Sequence, residues 1–144
     1  MTQPVTQLSV QDAIIYLMVM ASASDGRIQP QEYRTIGRVV RSFPLFSNHD
    51  EQVLVQTAEA AGELMSSAGG MQKVLDAAAA ALPKHLCETA YVAVVDVVTA
   101  DEMLSTHEIR IMELIREALS IDDEGATAIE RAARARHMTE VVPL

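Results

Sequence analysis

The feature that most constrains the fold of this chain is a pattern that occurs twice. Displaced by 76 positions, residues 16–43 overlay residues 92–119, with Asp25 on Asp101, Glu32 on Glu108, Arg34 on Arg110 and Val19 on Val95. The apolar positions match as well: Ile28 on Leu104, Ile36 on Met112, Val39 on Ile115 and Phe43 on Leu119. In each copy apolar residues recur at helical spacing, halt at a short acidic segment and resume. The pattern predicts a helix–acidic loop–helix unit over about 9–46 and again over about 83–121. Two such units can bury their apolar stripes against each other about a pseudo-twofold axis.

The signals between and around the repeats complete an all-α bundle of about seven helices in a single domain over 9–137. Residues 1–8 form an N-terminal arm and 138–144 a C-terminal tail. Ser9 with Asp12 has the spacing of a capping box, and Pro30 suits the first position of a second helix, which Pro44 ends. Asn48 with Glu51 predicts the start of a third helix running to about Ser67, and Gly69-Gly70 breaks the chain before a fourth. Pro83 opens the fifth, through Thr99. Its segment Tyr91-Val92-Ala93-Val94-Val95 has strand propensity, but its length and the proline start favour a helix apolar on nearly every side, hence buried. Ser105 with Glu108 caps a sixth, and Asp122 or Asp123 starts a seventh ending near Arg136. Linkers this short join antiparallel neighbours in one bundle.

Composition narrows the function classes. Aromatic residues are 3% of the chain and Trp is absent, which suits close-packed helices better than a sheet. The formal charge is −9, with 20 acidic against 11 basic residues. Such a surface repels phosphate backbones and anionic membranes and attracts cations and basic partners, so nucleic acid is not an expected ligand. A single cysteine, Cys87, cannot pair internally and fits a reducing compartment. The apolar stretch from Ala13 to Ala23 lacks a preceding basic residue and is too short to span a bilayer. It reads as a buried helix of a cytoplasmic protein, with no direct membrane insertion.

The residues that could carry chemistry are the repeated acids Asp25, Glu32, Asp101 and Glu108. If Ser105 is an N-cap, Glu108 is placed to reach back to its amide, with Leu104 and Ile109 as a hydrophobic staple. Gln29 is a poorer N-cap for the equivalent Glu32. Asp25 and Asp101 sit where helices end, a position the helix dipole disfavours. Either an Asx-type turn offsets this, or the four acids approach one another and hold a hard cation, Ca²⁺ or Mg²⁺ rather than Zn²⁺. The segment Asp25-Gly26-Arg27-Ile28 lacks the alternating acids of an EF-hand. His49, His85, His107 and His137 share no metal-ligand spacing. Asp96, inside the apolar fifth helix, would be costly unpaired and is expected to pair with an Arg such as Arg110 or to line the acidic site. Cys87 reads as an inert buried thiol, and Arg131, Arg134 and Arg136 as solvated cations suited to a helix C-terminus.

These residues resemble the tellurite-resistance TerB family of helical bacterial domains. The similarity runs from about Val10 to His137. It rests on Ser22-Ala23-Ser24-Asp25-Gly26-Arg27-Ile28-Gln29-Pro30-Gln31-Glu32, on Glu88-Thr89-Ala90-Tyr91, on Val98-Thr99-Ala100-Asp101 through Glu108-Ile109-Arg110, and on Ala128-Ile129-Glu130-Arg131 through Arg136. The resemblance implies a duplicated seven-helix bundle, no established catalysis and a divalent-metal site at the loop acids. It also implies membership of membrane-associated chemical-stress complexes. Glu102 stands where the family's second loop has Gly, and Ser24 where the first has Ala.

Three functions follow as expectations. The first is a non-catalytic binding or scaffold module for chemical-stress responses, monomeric or homodimeric, with protein partners and a divalent cation at the acidic loops. The second is a metal-independent adaptor whose acidic surface docks basic partners. The third is a carboxylate-based hydrolase using Asp25 or Glu32 as general base; no nucleophile–base–orienter set, phosphate loop or cofactor motif supports it.

Overall fold

The computed structural model describes residues 7–23, 27–99 and 105–141. Among them are seven α-helices and no strand: α1 (Val10–Ser22), α2 (Pro30–Arg41), α3 (Glu51–Ser66), α4 (Gly70–Ala81), α5 (Lys84–Thr99), α6 (Thr106–Ala118) and α7 (Asp123–Arg136). A 3-10 turn, Pro44–Phe46, links α2 to α3. The strand-like middle of the fifth segment is helical. Its β-branched residues cost some helix propensity, and burial of a helix that is apolar on most sides outweighs that.

Helices α1 and α5 form the centre. Ala13, Ile14, Ile15, Leu17, Met18, Val19 and Met20 of α1 have no exposed surface, and Ala90, Tyr91 and Ala93 through Val98 of α5 are buried. Each large apolar side chain enclosed this way contributes about 1.5–3 kcal/mol. The two helices pack on each other, α1 also meets α6, and α5 also meets α2. This reciprocal crossing is what two related helix pairs facing each other would produce. The correspondence extends one helix further than the sequence pattern: α3 packs on α1 as α7 packs on α5. Helix α4 is the addition, lying on α1, α3 and α6.

Several helix starts differ in detail from the sequence expectation. The Ser9 hydroxyl accepts the Asp12 N–H at 3.1 Å, as a cap should. The Asp12 carboxylate, however, accepts the buried Thr57 hydroxyl at 3.2 Å, so it ties α1 to α3. Helix α3 is capped by Asp50, which accepts the Gln52 N–H at 2.7 Å, and Asn48 with Glu51 is not its capping pair. Glu51 bonds Arg41 at the end of α2 instead. Asp122 is the α7 cap, accepting the Gly125 N–H at 2.7 Å.

Helix α7 is fastened to α5 by polar contacts at separate points. The Tyr91 hydroxyl donates to Glu130 at 3.0 Å. The nearly buried Asp96 carboxylate pairs with Arg136, and His137 Nε2 lies 3.8 Å from the same oxygen. Arg110, the partner expected for Asp96, pairs with Glu113 one turn along α6 at 3.1 Å. Arg136 is therefore not merely a solvated cation: the pairing needs the α5–α7 contact, and sequence order does not reveal which Arg arrives. At the other end of α7, Arg116 pairs with Asp123 and donates to the Ile121 carbonyl.

The α3–α4 corner depends on two glycines. Gly69 has φ 66°, in the left-handed region. A Cβ on Gly70 would lie 2.1 Å from the Leu64 carbonyl oxygen and 2.5 Å from that of Met65. Gly70→Ala is expected to lower unfolding stability by about 2–3 kcal/mol in urea titrations, because backbone must move to admit the methyl group. Burial, and then the Glu130 carboxylate, push the Tyr91 phenol up from its ordinary value of 10.0. The protonated phenol is thus favoured by the folded state. Its contribution is fully present below about pH 10 and declines as pH rises through the unfolded-state value. Thermal unfolding followed from pH 9 to 11 should show a shallower loss of stability in Tyr91→Phe than in the parent chain.

Candidate acidic loop site

The acidic loops emerge where two buried helices end and two amphipathic ones begin. Helix α1 closes at Ser22, whose hydroxyl donates to the Met18 carbonyl at 2.7 Å, and Ala23 donates its N–H to Val19. Helix α2 then begins at Pro30. In the second unit α5 ends at Thr99, whose hydroxyl donates to the Val95 carbonyl at 2.6 Å, and α6 begins at Thr106. Ser22 and Thr99 thus use the same device, a back-bond to the carbonyl four residues earlier.

Both glutamates of the repeat act as helix caps. Glu108 Oε1 accepts the Ser105 N–H at 3.2 Å while Ser105 Oγ accepts the Glu108 N–H at 3.1 Å, a complete capping box. In the first unit Glu32 Oε1 accepts the Gln29 N–H at 3.1 Å. The reach back to the N-cap amide, expected to be weaker at Glu32, is therefore the same in both copies. Proline at the first helical position fixes the local φ, so the Gln29–Glu32 turn is preformed without a serine. Of the expected staple, Ile109 is 45% exposed and Leu104 lies outside the described residues; at the equivalent positions of the first unit, Ile28 and Tyr33 are half-buried against the core.

A cleft of about 330 Å³ opens beside Glu32, lined by Ser22, Gln31, Glu32, Thr35 and, from the other unit, Val97. Helix α5 thus supplies one wall of the cleft at the start of α2. Asp25 and Asp101 lie outside the described residues, as does Glu102. Among the described residues no three His, Cys, Asp or Glu side chains group as metal ligands do. A carboxylate has about four lone-pair sites and a cap uses one, so capping and cation coordination are chemically compatible at Glu32 and Glu108.

The remaining candidates fall elsewhere. Cys87 is only half-buried; its thiol donates to the Pro83 carbonyl, and burial pushes it up from its ordinary value, away from thiolate reactivity. His107 is exposed at the start of α6. The contacts that sequence reasoning missed, Tyr91–Glu130 and Asp96–Arg136, join α5 to α7. Their signal was present in a buried Asp and a buried Tyr, each needing a partner that spacing alone does not specify.

A duplicated all-helical bundle with a glutamate-capped turn in each half is thus the class of protein that fold and site define. A model of the tellurite resistance protein TerB family matches residues 11–132, and the chain belongs to that family. Comparison with curated proteins gave no match, and neither did comparison with solved structures. No helix among the described residues is long and apolar enough to cross a membrane.

The two caps separate charge from hydrogen bonding. Ser105→Ala should cost about 1 kcal/mol of stability in urea unfolding. Glu108→Gln retains an acceptor for the N-cap amide and should change stability by only about 0.5 kcal/mol, through the lost charge–dipole attraction.

Proposed function

We propose that the chain is a non-catalytic binding or scaffold module of the tellurite and chemical-stress type, holding a divalent cation at its acidic inter-helix loops. Its partners are proteins, in a membrane-associated stress complex reached from the cytoplasm. The observation that carries the cation reading is the equivalence of Glu32 and Glu108. Each is the third residue of its helix, follows its loop aspartate by the same interval, and keeps its carboxylate at the loop by the same amide bond. Asp25 and Asp101 would supply the further oxygens. The all-oxygen donor set suits Ca²⁺ or Mg²⁺ and not Zn²⁺. A bound cation would offset the repulsion between loop carboxylates and the unfavourable charge at the ends of α1 and α5, stiffening the turns that a partner would read.

The capping bonds also favour a second reading. If Glu32 and Glu108 are occupied as caps, the acidic surface serves a metal-independent adaptor whose basic partners release with rising salt. A carboxylate-based hydrolase is the least supported alternative: the Ser22 hydroxyl beside Glu32 is committed to the Met18 carbonyl.

Calorimetric titration of chelator-stripped protein with Ca²⁺, Mg²⁺, Mn²⁺ and Zn²⁺ tests the cation reading. Saturable binding of an oxygen-preferring ion is expected, lost in Asp25→Asn/Asp101→Asn and weakened in Glu32→Gln/Glu108→Gln. Absence of binding by the parent chain would sink the cation reading and leave the adaptor.

A further inference from the structure

A groove between the start of α2 and the outer face of α3 collects several features that work against local helix stability. It has a volume of about 390 Å³ and is lined by Ile28, Tyr33, Glu59, Gly62, Glu63 and Ser66. The four α3 residues stand at i, i+3, i+4 and i+7, a single helix face. Glu59 and Glu63 are like charges one turn apart, a destabilising spacing, and α3 contains no Lys or Arg to relieve them. Neither makes an ion pair within the described residues; the α3 glutamate that does is Glu51, bonded to Arg41 at the far end. Glu63 also lies near the α3 C-terminus, where the helix dipole disfavours an anion. Gly62 stands buried between them, where alanine would favour the helix.

The opposite wall is apolar and aromatic. Ile28 and Tyr33 are half-buried there, and the Tyr33 phenol is pushed up from its ordinary value first by burial and then by the Glu59 and Glu32 carboxylates. Beneath the same face, Tyr16 is pushed up by burial, then by Asp12 and Glu63. The groove therefore combines two carboxylates without an ion pair among the described residues, an aromatic face and an apolar shelf. A planar guanidinium can stack on the tyrosine and donate to both carboxylates, which an ammonium on a flexible stem does less well.

We propose that the α2–α3 groove is the docking site for an arginine side chain of a basic partner segment, held between Tyr33 and the Glu59–Glu63 pair. The repulsion between Glu59 and Glu63 persists on this face because the cation that offsets it comes from the partner. The proposal deepens the acidic-adaptor reading by giving it a place and a partner chemistry.

The test uses the full chain in chelator, titrated into a short fluorescein-labelled peptide of alternating arginine and leucine, and into its lysine counterpart, followed by anisotropy. Glu59→Gln/Glu63→Gln should weaken the arginine peptide about tenfold or more. Glu117→Gln/Glu124→Gln, the same charge change at exposed sites on α6 and α7, should leave it within about twofold. Tyr33→Leu should weaken the arginine peptide more than the lysine one. Glu59→Gln/Glu63→Gln should also melt at a higher temperature than the parent chain, so its lost binding would not reflect unfolding. Equal weakening by the two double variants would overturn the groove while leaving a diffuse acidic adaptor standing. No peptide binding even at low ionic strength would overturn both.

Discussion

The contact between α1 and α5 is the constraint on which the rest of the molecule depends. Both helices are too apolar to face water on more than a narrow strip, so each must be surrounded. Seven of the eight α1 residues from Ala13 to Met20, all but Tyr16, lose all exposed surface. That enclosure takes neighbours on every side, and the chain supplies them: α3, α4 and α6 around α1, with α2 and α7 around α5. The outer helices are amphipathic because one face of each serves this purpose. The acidic turns are where the two buried helices finally emerge.

A core of small and flexible side chains has few ways to specify one arrangement, and the polar contacts do much of that work here. Thr57 on Asp12 sets α3 against α1. Tyr91 on Glu130 and Arg136 on Asp96 set α7 against α5. A buried acid stripped of its arginine would be costlier than an apolar residue in its place, so such pairs penalise misdocked helices more than they add net stability. The equivalent interfaces in the two halves share a hydroxyl donating to a carboxylate, and the α5–α7 interface adds the Asp96–Arg136 ion pair.

The candidate sites share a relation to this frame. Their glutamates are held by, or sit on, helices whose positions the core dictates, so each carboxylate has a defined location. Glu32 and Glu108 satisfy helix ends. Glu59 and Glu63 make no ion pair among the described residues. That difference separates acids that have a structural role of their own from acids whose role must be sought in a partner.

Periodicity, prolines and the repeated Asp-to-Glu interval determined the all-helical class, the order of the seven helices and the Ser105–Glu108 cap, because these depend on neighbours within a turn or two. The family was legible for the same reason, since its motif lies in short contiguous segments. The assignment of caps at close alternatives was less secure: Asp50 replaced Asn48 because several competent side chains stood within three positions and only the packed corner selects one. Partners across the bundle were decided by tertiary structure alone. Asp96 needed a cation, and sequence offered several; the docking of α7 on α5 brought Arg136 and left Arg110 to Glu113. The groove at Tyr33 was likewise invisible, because Ile28, Tyr33 and the α3 face come together only when α2 folds back over α3.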